Sequence, residues 1–331
     1  CGTCEAFCPR IDHVENRPDL VNYDPLCGLC FTYCPRTFLD MAAMESKLFG
    51  RTRKEDEPLG IYRKAVAAQA QPVLEAAQDG GVATALLIEA MQSGMIDCAI
   101  VTGRDDEWRT QTIIATSPEE IRSAAGTKYT IHNSVMAVKD ALESGYQKIG
   151  FVGTPCQIQG LRKVKLLDEP YQFGQDRIAL LVGLFCMENF DYDALMNGLV
   201  KGKFGLMPKD VDRFEIKKGM FRVIDKAGKA HEVKIEETDP YTFPGCGPCF
   251  DFASELADVS VGSVGSADGW STVLTRTDVG EKLYGDALAA GLVAEKAVSE
   301  KGLALAKRLA AGKVERFLLK SEEMKVDGII R

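Results

Sequence analysis

Apolar positions along this chain change their period several times, and each change predicts an element. Val82, Ala85, Leu86 and Ala90 recur at helical spacing, with Gly94 as a stop. Residues 96–101 then read as a buried strand, and 113–116 as another. A helix over 134–142, a strand over 149–152, a helix over 155–166 and a strand over 178–185 continue the alternation. From 214 to 235 the pattern becomes short strands with Gly219 and Gly228 at the turns, an antiparallel insert. Residues 259–264 and 270–275 return to the main sheet, and from 277 the pattern reads as helical to the end, broken near Gly291. Strands alternating with helices predict an α/β fold, with α+β character in the insert.

The first part of the chain does not share that texture. Residues 1–45 have short apolar runs punctuated by cysteines, so metal rather than a core is expected to hold them. Residues 46–58 carry Arg51, Arg53, Lys54, Glu55, Asp56 and Glu57, and read as a linker into a large domain over 59–331. At 331 residues and 46% hydrophobic content there is material for both. No apolar run approaches the length of a transmembrane helix. A net charge of -8 argues against nucleic acid as a general partner. The chain opens at Cys1 with neither a methionine nor a secretory signal, so further residues are expected before it and a cytoplasmic setting is expected.

Ten of the 11 cysteines carry the chemical signal. Cys1-x-x-Cys4-x-x-x-Cys8-Pro9 is repeated by Cys27-x-x-Cys30-x-x-x-Cys34-Pro35, the one internal repeat. Each is the last part of the bacterial ferredoxin run, in which the trailing Cys-Pro ligates the other run's cluster. One cluster would take Cys1, Cys4, Cys34 and a residue before Cys1. The other would take Cys8, Cys27, Cys30 and the residue at position 24, which is Asp24 rather than a cysteine. A carboxylate is a harder donor than a thiolate. A three-iron cluster, an open fourth site, or a solvated Asp24 are the alternatives. Zinc is a weaker reading, because zinc sites do not call for trailing Cys-Pro steps, and disulfides are disfavoured in a reducing compartment.

Downstream, Thr154-Pro155-Cys156-Gln157 follows a strand and opens a helix, with Thr154 and Gln157 spaced as a capping box. Cys156 therefore falls in the first turn, where free N–H groups and the helix dipole favour a thiolate. With no histidine near it in sequence, iron ligation is preferred over nucleophilic catalysis. Cys186 ends a strand, and Cys246-Gly-Pro-Cys249 sits in a tight turn, so these three can complete a set with Cys156. Cys98 lies inside a buried strand and is read as a core cysteine. His13, His132 and His231 show no ligand spacing.

Taken in order, Gln78–Thr84, Ala125–Tyr129, Gly153–Gln157, Gly183–Asn189, Cys246–Phe252 and Asp258–Gly262 with Gly269–Thr272 resemble the coenzyme F420 hydrogenase/dehydrogenase beta subunits. The likeness covers residues from about 59 to beyond 283. It implies FAD and a [4Fe–4S] cluster on Cys156, Cys186, Cys246 and Cys249, with coenzyme F420 as substrate and no side chain as essential acid or base. It also implies cofactor contacts at Gly80, Gly81, Val82, Thr84, Gly126, Thr127, Lys128, Tyr129, Asn189, Gly262, Gly265, Trp270 and Ser271; Trp270 serves equally as core packing. Members with a ferredoxin domain in front make residues 1–45 a two-cluster module, and Asp24 is its departure from the eight-cysteine pattern. A basic rim for the polyanionic F420 tail is expected from Lys128, Arg162, Lys163 or Arg276, although Arg162 and Lys163 read more simply as a solvated helix face. Implied partners are formate dehydrogenase, hydrogenase, heterodisulfide reductase or F420H2 dehydrogenase subunits. The alternatives are a ferredoxin-driven flavin reductase of an organic substrate, or an iron–sulfur relay without flavin.

Overall fold

The computed structural model describes residues 1–331 apart from 9, 15–16, 23, 25, 167–173 and 327–331, and apart from the side chains of 13, 14, 17 and 324–326. The sequence reading of His13 lies outside the described side chains. The chain begins with helix α1 (Thr3–Phe7), the hairpin β1 (Ile11–Val14) and β2 (Arg17–Leu20), and helices α2 (Leu29–Tyr33) and α3 (Met41–Phe49). It continues through β3 (Lys64–Ala70), α4 (Val82–Gln92), β4 (Cys98–Arg104), β5 (Thr110–Ala115), α5 (Pro118–Ser123), α6 (Met136–Glu143), β6 (Ile149–Gly153), α7 (Pro155–Lys165) and β7 (Ile178–Leu184). A π-wound segment at Ala194–Lys203 leads into β8 (Val211–Lys217), β9 (Met220–Asp225) and β10 (Ala230–Lys234). The remainder is β11 (Val259–Gly262), β12 (Ser271–Thr275), α8 (Asp278–Ala289), β13 (Val293–Ala297) and α9 (Glu300–Val326).

Eight strands form one mixed sheet in the order β13-β3-β12-β11-β7-β6-β4-β5. Side chains along a strand alternate between faces, and here both faces are covered. On β4, Ala99 and Val101 pack with α4 and α8, whereas Cys98 and Ile100 pack with α6 and α7. This is why the strand is apolar at successive positions rather than at every second one. Strands β3, β4, β6, β7 and β11 all point one way, so their carboxyl ends lie along a single edge. The turns entering β12 and β13 belong to that edge as well, because both strands run antiparallel to β3.

The antiparallel insert is present as the three-stranded sheet β10-β9-β8 with its own core of Phe214, Phe221, Val223 and Val233. It docks through Trp108 in the β4–β5 turn, whose indole N–H donates to the Val211 carbonyl at 3.0 Å. One sequence expectation is corrected. The stretch after 277 is not helical apart from one break, because β13 intervenes between α8 and α9. This edge strand buries Val293 and leaves residues 295–297 exposed, so it has no apolar run to announce it. Its neighbour β3 went unseen because Lys-Ala-Val-Ala-Ala-Gln-Ala contains three alanines that bury in the sheet without a strand-forming signature.

A second correction concerns the N-terminal segment, which is not held by metal alone. Ala6, Phe7, Tyr33 and Met44 share a core with Val138, Phe151, Ile158 and Leu161 of the large sheet and its helices. Lys163 adds hydrogen bonds from its ammonium to the Cys34 carbonyl at 2.7 Å and the Phe38 carbonyl at 2.5 Å. In the stretch 46–58, Arg53 reaches Glu45 on one side and Glu255 on the other. Among the described residues, no helix is long and apolar enough to cross a membrane.

Candidate functional site

The residues singled out in the sequence converge on the carboxyl edge of the sheet, where ligand crevices of open α/β sheets form. Gly80 and Gly81 follow β3 there and open α4. The Gly80 N–H donates to Ser271 Oγ at 3.1 Å, and a Cβ at Gly80 would lie 2.5 Å from the Ala68 carbonyl oxygen. Glycine is thus required to seat this turn against β3 and β12. Gly81 is left-handed (φ 69°) and caps α4 with no side-chain hydrogen bond, leaving the first-turn N–H groups of Val82, Ala83 and Thr84 without a side-chain cap. Gly126 stands beside this loop: a Cβ on it would lie 2.8 Å from the Ala76 carbonyl oxygen. Thr127 is exposed and next to it.

Tyr129 links these glycine blocks to the cysteines. Its hydroxyl bonds the Ile216 backbone under the insert, and its ring meets Phe221 edge-on at 5.9 Å. Burial pushes its phenol up, with further contributions from Asp79 at the glycine turn, Glu215 and Cys186. Asp79 is itself raised by burial, against the pull of Lys217 and the Gly269 N–H, with Asp268 and Glu215 adding to the rise. Lys217 pairs with Asp268 at 3.4 Å, tying the insert to the loop before β12. Trp270, in that loop, is half-buried with the Lys296 ammonium 3.7 Å from its ring centre. Gly262 and Gly265 are packing glycines, since a Cβ would strike the Phe185 ring at 2.2 Å and Thr272 Oγ1 at 2.8 Å respectively.

Cys156, Cys186 and the Cys246–Cys249 turn come from three places in the chain and gather at this edge. Cys156 lies in the first turn of α7, where the Thr154–Gln157 capping box forms and the Thr154 N–H donates to Gln157 Oε1 at 2.9 Å. Asn189 organises two of the thiols: its side-chain amide donates to Cys186 Sγ and its backbone N–H to Cys246 Sγ, both at 3.4 Å. Burial pushes Cys186 up, and Cys246, Cys249 and Cys156 raise it further against Lys313. Cys246 is pushed up to about 11, by burial first and by Cys156 and Cys249. Cys156 differs. Burial raises it, while Arg36, the Thr154 hydroxyl and Lys313 pull the other way.

Two cations absent from the sequence reading serve this group. Lys313 of α9 is 1% exposed, and its ammonium donates to the carbonyls of Cys186 and Asp251. Arg36 donates through Nη2 to Cys249 Sγ at 3.1 Å. Gln159 fixes Asp251 from α7 at 3.0 Å. The four thiols lie close enough to influence one another electrostatically, among N–H donors and two cations. Among the described residues, no three His, Cys, Asp or Glu side chains converge on one point as a single metal ion requires. Arg36, directly after Cys34-Pro35, had its position in the motif as its one signal; Lys313 had none.

In the N-terminal segment Cys4 is raised by burial and then by Cys34, so the two runs approach each other there. Asp24 accepts from the Leu26 N–H at 3.0 Å and pairs with Arg10 at 3.1 Å, so both its oxygens serve its own loop. Cys98 is buried in β4 and pushed up to about 12 by burial and Asp97, as a core cysteine. His132 bonds Thr112 and His231 bonds Asp225.

The expected basic rim is corrected. Arg162 is 3% exposed and pairs with Asp258 at 2.9 Å, and Arg276 is fully buried on Ser260, Ile61 and Ala253. Neither is a rim residue, and α7 is no solvated face, because it is enclosed between the sheet and the N-terminal segment with a partner for each polar side chain. Lys163 points at that segment instead. Lys128 folds back onto the carbonyls of Ala124, Ala125 and Gly126 at the end of α5, and burial lowers it to about 8, with Arg104 adding to the effect. Lys217 and Arg104 also stand at the carboxyl edge, the latter 3.9 Å over the Trp108 ring.

Comparison with known proteins gives this edge a context. Residues 65–139 match the N-terminal part of the coenzyme F420 hydrogenase/dehydrogenase beta-subunit family, and 146–301 match the C-terminal part of the same family. The coenzyme F420 hydrogenase beta subunit of Methanosarcina barkeri is 40% identical over 281 residues, spanning 83% of this chain and 96% of that one. A subunit of the F420H2 dehydrogenase of Methanosarcina mazei is 31% identical over 301 residues, 86% of this chain and 80% of that one. The coenzyme F420-dependent sulfite reductase of Methanocaldococcus jannaschii is 36% identical over 302 residues, which are 86% of this chain and 44% of that protein. A chain of the F420-reducing [NiFe] hydrogenase complex from Methanosarcina barkeri superposes with a TM-score of 0.79 at 39% identity, covering 84% of this chain and 97% of that one.

Proposed function

The chain belongs to the coenzyme F420 hydrogenase/dehydrogenase beta-subunit family, and from that premise we propose that it is the F420-linked electron-transfer subunit of a larger oxidoreductase. Coenzyme F420 is its substrate in this reading, and FAD and [4Fe–4S] clusters are its resident groups. The partner is a subunit of hydrogenase, formate dehydrogenase, heterodisulfide reductase or F420H2 dehydrogenase type, supplying the terminal chemistry. Bound FAD would supply the conversion between a hydride pair and single electrons, chemistry that no side chain offers.

The chain's own residues supply position and surroundings. The uncapped first turn of α4, with Val82, Ala83 and Thr84, presents N–H groups and a positive helix end to an anionic group. Gly81 and Gly126 bring backbone close to it from two loops. Tyr129 stands between that turn and Cys186, under an insert that shields the edge from water. Cys156, Cys186, Cys246 and Cys249 would hold the large domain's cluster, with Asn189 donating to two of them. Residues 1–45 would form a two-cluster domain, Cys1, Cys4 and Cys34 serving one cluster and Cys8, Cys27 and Cys30 the other. Residues 59–331 would form the flavin domain, joined to it through 46–58.

The observation that carries this reading is the meeting of four thiols from three distant segments, beside Tyr129 and the glycine turns of one sheet edge. Anaerobic addition of reduced coenzyme F420 to purified protein of known flavin and iron content tests it. Oxidation of the deazaflavin with bleaching of flavin absorbance and loss of oxidised cluster absorbance is expected. Flavin- and iron-replete protein that ignores reduced coenzyme F420, yet accepts electrons from reduced ferredoxin, would sink the assignment in favour of an organic-substrate reductase. Iron-replete protein that carries no flavin would favour a relay.

A further inference from the structure

Arg36 lies outside both family-matched spans, in the N-terminal segment, yet it reaches the family's cysteine group. Its backbone N–H donates to Cys34 Sγ at 3.3 Å. Its guanidinium donates to Cys249 Sγ at 3.1 Å, to the Pro248 carbonyl at 3.2 Å and, at 3.5 Å, to Gln159 Oε1. A guanidinium does not shed its proton in a protein. Among the described residues no carboxylate pairs with it, so its acceptors are a sulfur, a carbonyl and an amide. A largely enclosed cation whose nearby carboxylate, Asp251, acts on it without a hydrogen bond, and after the sulfurs of Cys249 and Cys156, calls for negative charge at those sulfurs, and thiolates bound to iron supply that.

We propose that Arg36 is a positioning residue shared by two iron–sulfur centres, one on Cys34 and one on Cys249, whose charge raises the reduction potential of both and whose two contacts fix their spacing. This rests on the function proposed above. Each one-electron reduction of a cluster adds a negative charge, and a neighbouring cation stabilises the reduced form. The two centres do not feel the residue equally. Cys249 receives the charged guanidinium directly, whereas Cys34 receives a neutral backbone amide that survives any substitution. Removing the side chain's charge therefore lowers both potentials, and lowers that of the Cys249 centre more.

The test is a potentiometric titration followed by electron paramagnetic resonance on the whole, anaerobically loaded chain, with iron and flavin content measured first. A Cys246→Ser variant, which removes the downstream centre alone, assigns the signals. Arg36→Gln is expected to keep wild-type iron content while both signals titrate at lower potential, the downstream one by the larger shift. Arg36→Lys keeps the charge and is expected to titrate close to wild type. Iron-replete Arg36→Gln with both potentials unmoved would overturn the proposal, as would Arg36→Lys falling as far as Arg36→Gln. Should Arg36→Gln lose its iron, Arg36→Lys decides: potentials held at wild type support the proposal and lowered potentials overturn it. Wild-type protein that binds no iron would remove the functional reading itself, and the initial metal analysis shows this before any variant is titrated.

Discussion

Asp258 opens one of the blocks that resemble the family, and its surroundings make it a structural anion. It is 4% exposed. One carboxylate oxygen accepts from Arg162 Nη2 at 2.9 Å and Thr277 Oγ1 at 2.8 Å, and the other from the Leu181 N–H at 2.8 Å. Asp258→Asn keeps the shape, removes the charge and leaves the Arg162 guanidinium buried without its anion. Breaking a buried pair in this way costs about 3–5 kcal/mol. With an unfolding entropy of about 2.1 cal/mol/K per residue over 331 residues, that is a melting point lower by about 4–7 °C. Differential scanning calorimetry of anaerobically purified protein reads the shift, and flavin and iron content are expected to stay at wild type. Adding Arg162→Met removes the orphaned cation, so the double variant should lose less than the sum of the singles. An Asp258→Asn protein that melts within about 1 °C of wild type, or one that keeps its melting point and loses flavin, would refute this reasoning.

Two further outcomes are expected. A Cβ at Gly160 on α7 would lie 2.1 Å from Thr3 Oγ1, so Gly160→Ala should loosen the N-terminal segment and speed its cleavage in limited proteolysis, with partial rescue by Thr3→Ala; unchanged cleavage would count against the close packing of α1 on α7. Asp225 is held below the ordinary carboxylate range by its bond to His231 first and by the Lys229 and Ala227 N–H groups; a carboxylate depressed by folding stabilises above its unfolded pKa and stops doing so as pH falls through its folded one. Hydrogen exchange in the β9–β10 turn should therefore distinguish Asp225→Asn from wild type at neutral pH and cease to do so in acid; a difference that persists in acid would contradict it.

The parts of this protein that could be read from its sequence are those where a local rule and the tertiary setting agree. The strand at β6, the capped start of α7 and the Cys156 that follows rest on a local pattern that the fold preserves. The insert was legible because Gly219 and Gly228 punctuate its hairpins at positive φ. Strands β3 and β13 were not, because alanines and exposed edge positions carry no period. Arg162 and Arg276 misled for a different reason: charged residues on helices and strand ends read as solvated, and only long-range neighbours such as Asp258 and Ala253 reveal that they are enclosed. Arg36 and Lys313 are long-range in the same sense, meeting cysteines more than a hundred residues away.

The shared core of the N-terminal segment has a consequence for how charge can leave the molecule. Phe7 and Met44 sit among Val138, Phe151 and Leu161. Exposing even these two side chains would cost about 3–6 kcal/mol, so an undocked segment would be populated at about one part in 10² to 10⁴. Such a segment is a bracket, not a swinging arm. It cannot ferry charge by detaching and travelling; a recipient has to come to it. Phe31, Phe38 and Leu26 are the large apolar side chains this bracket leaves exposed to whatever comes.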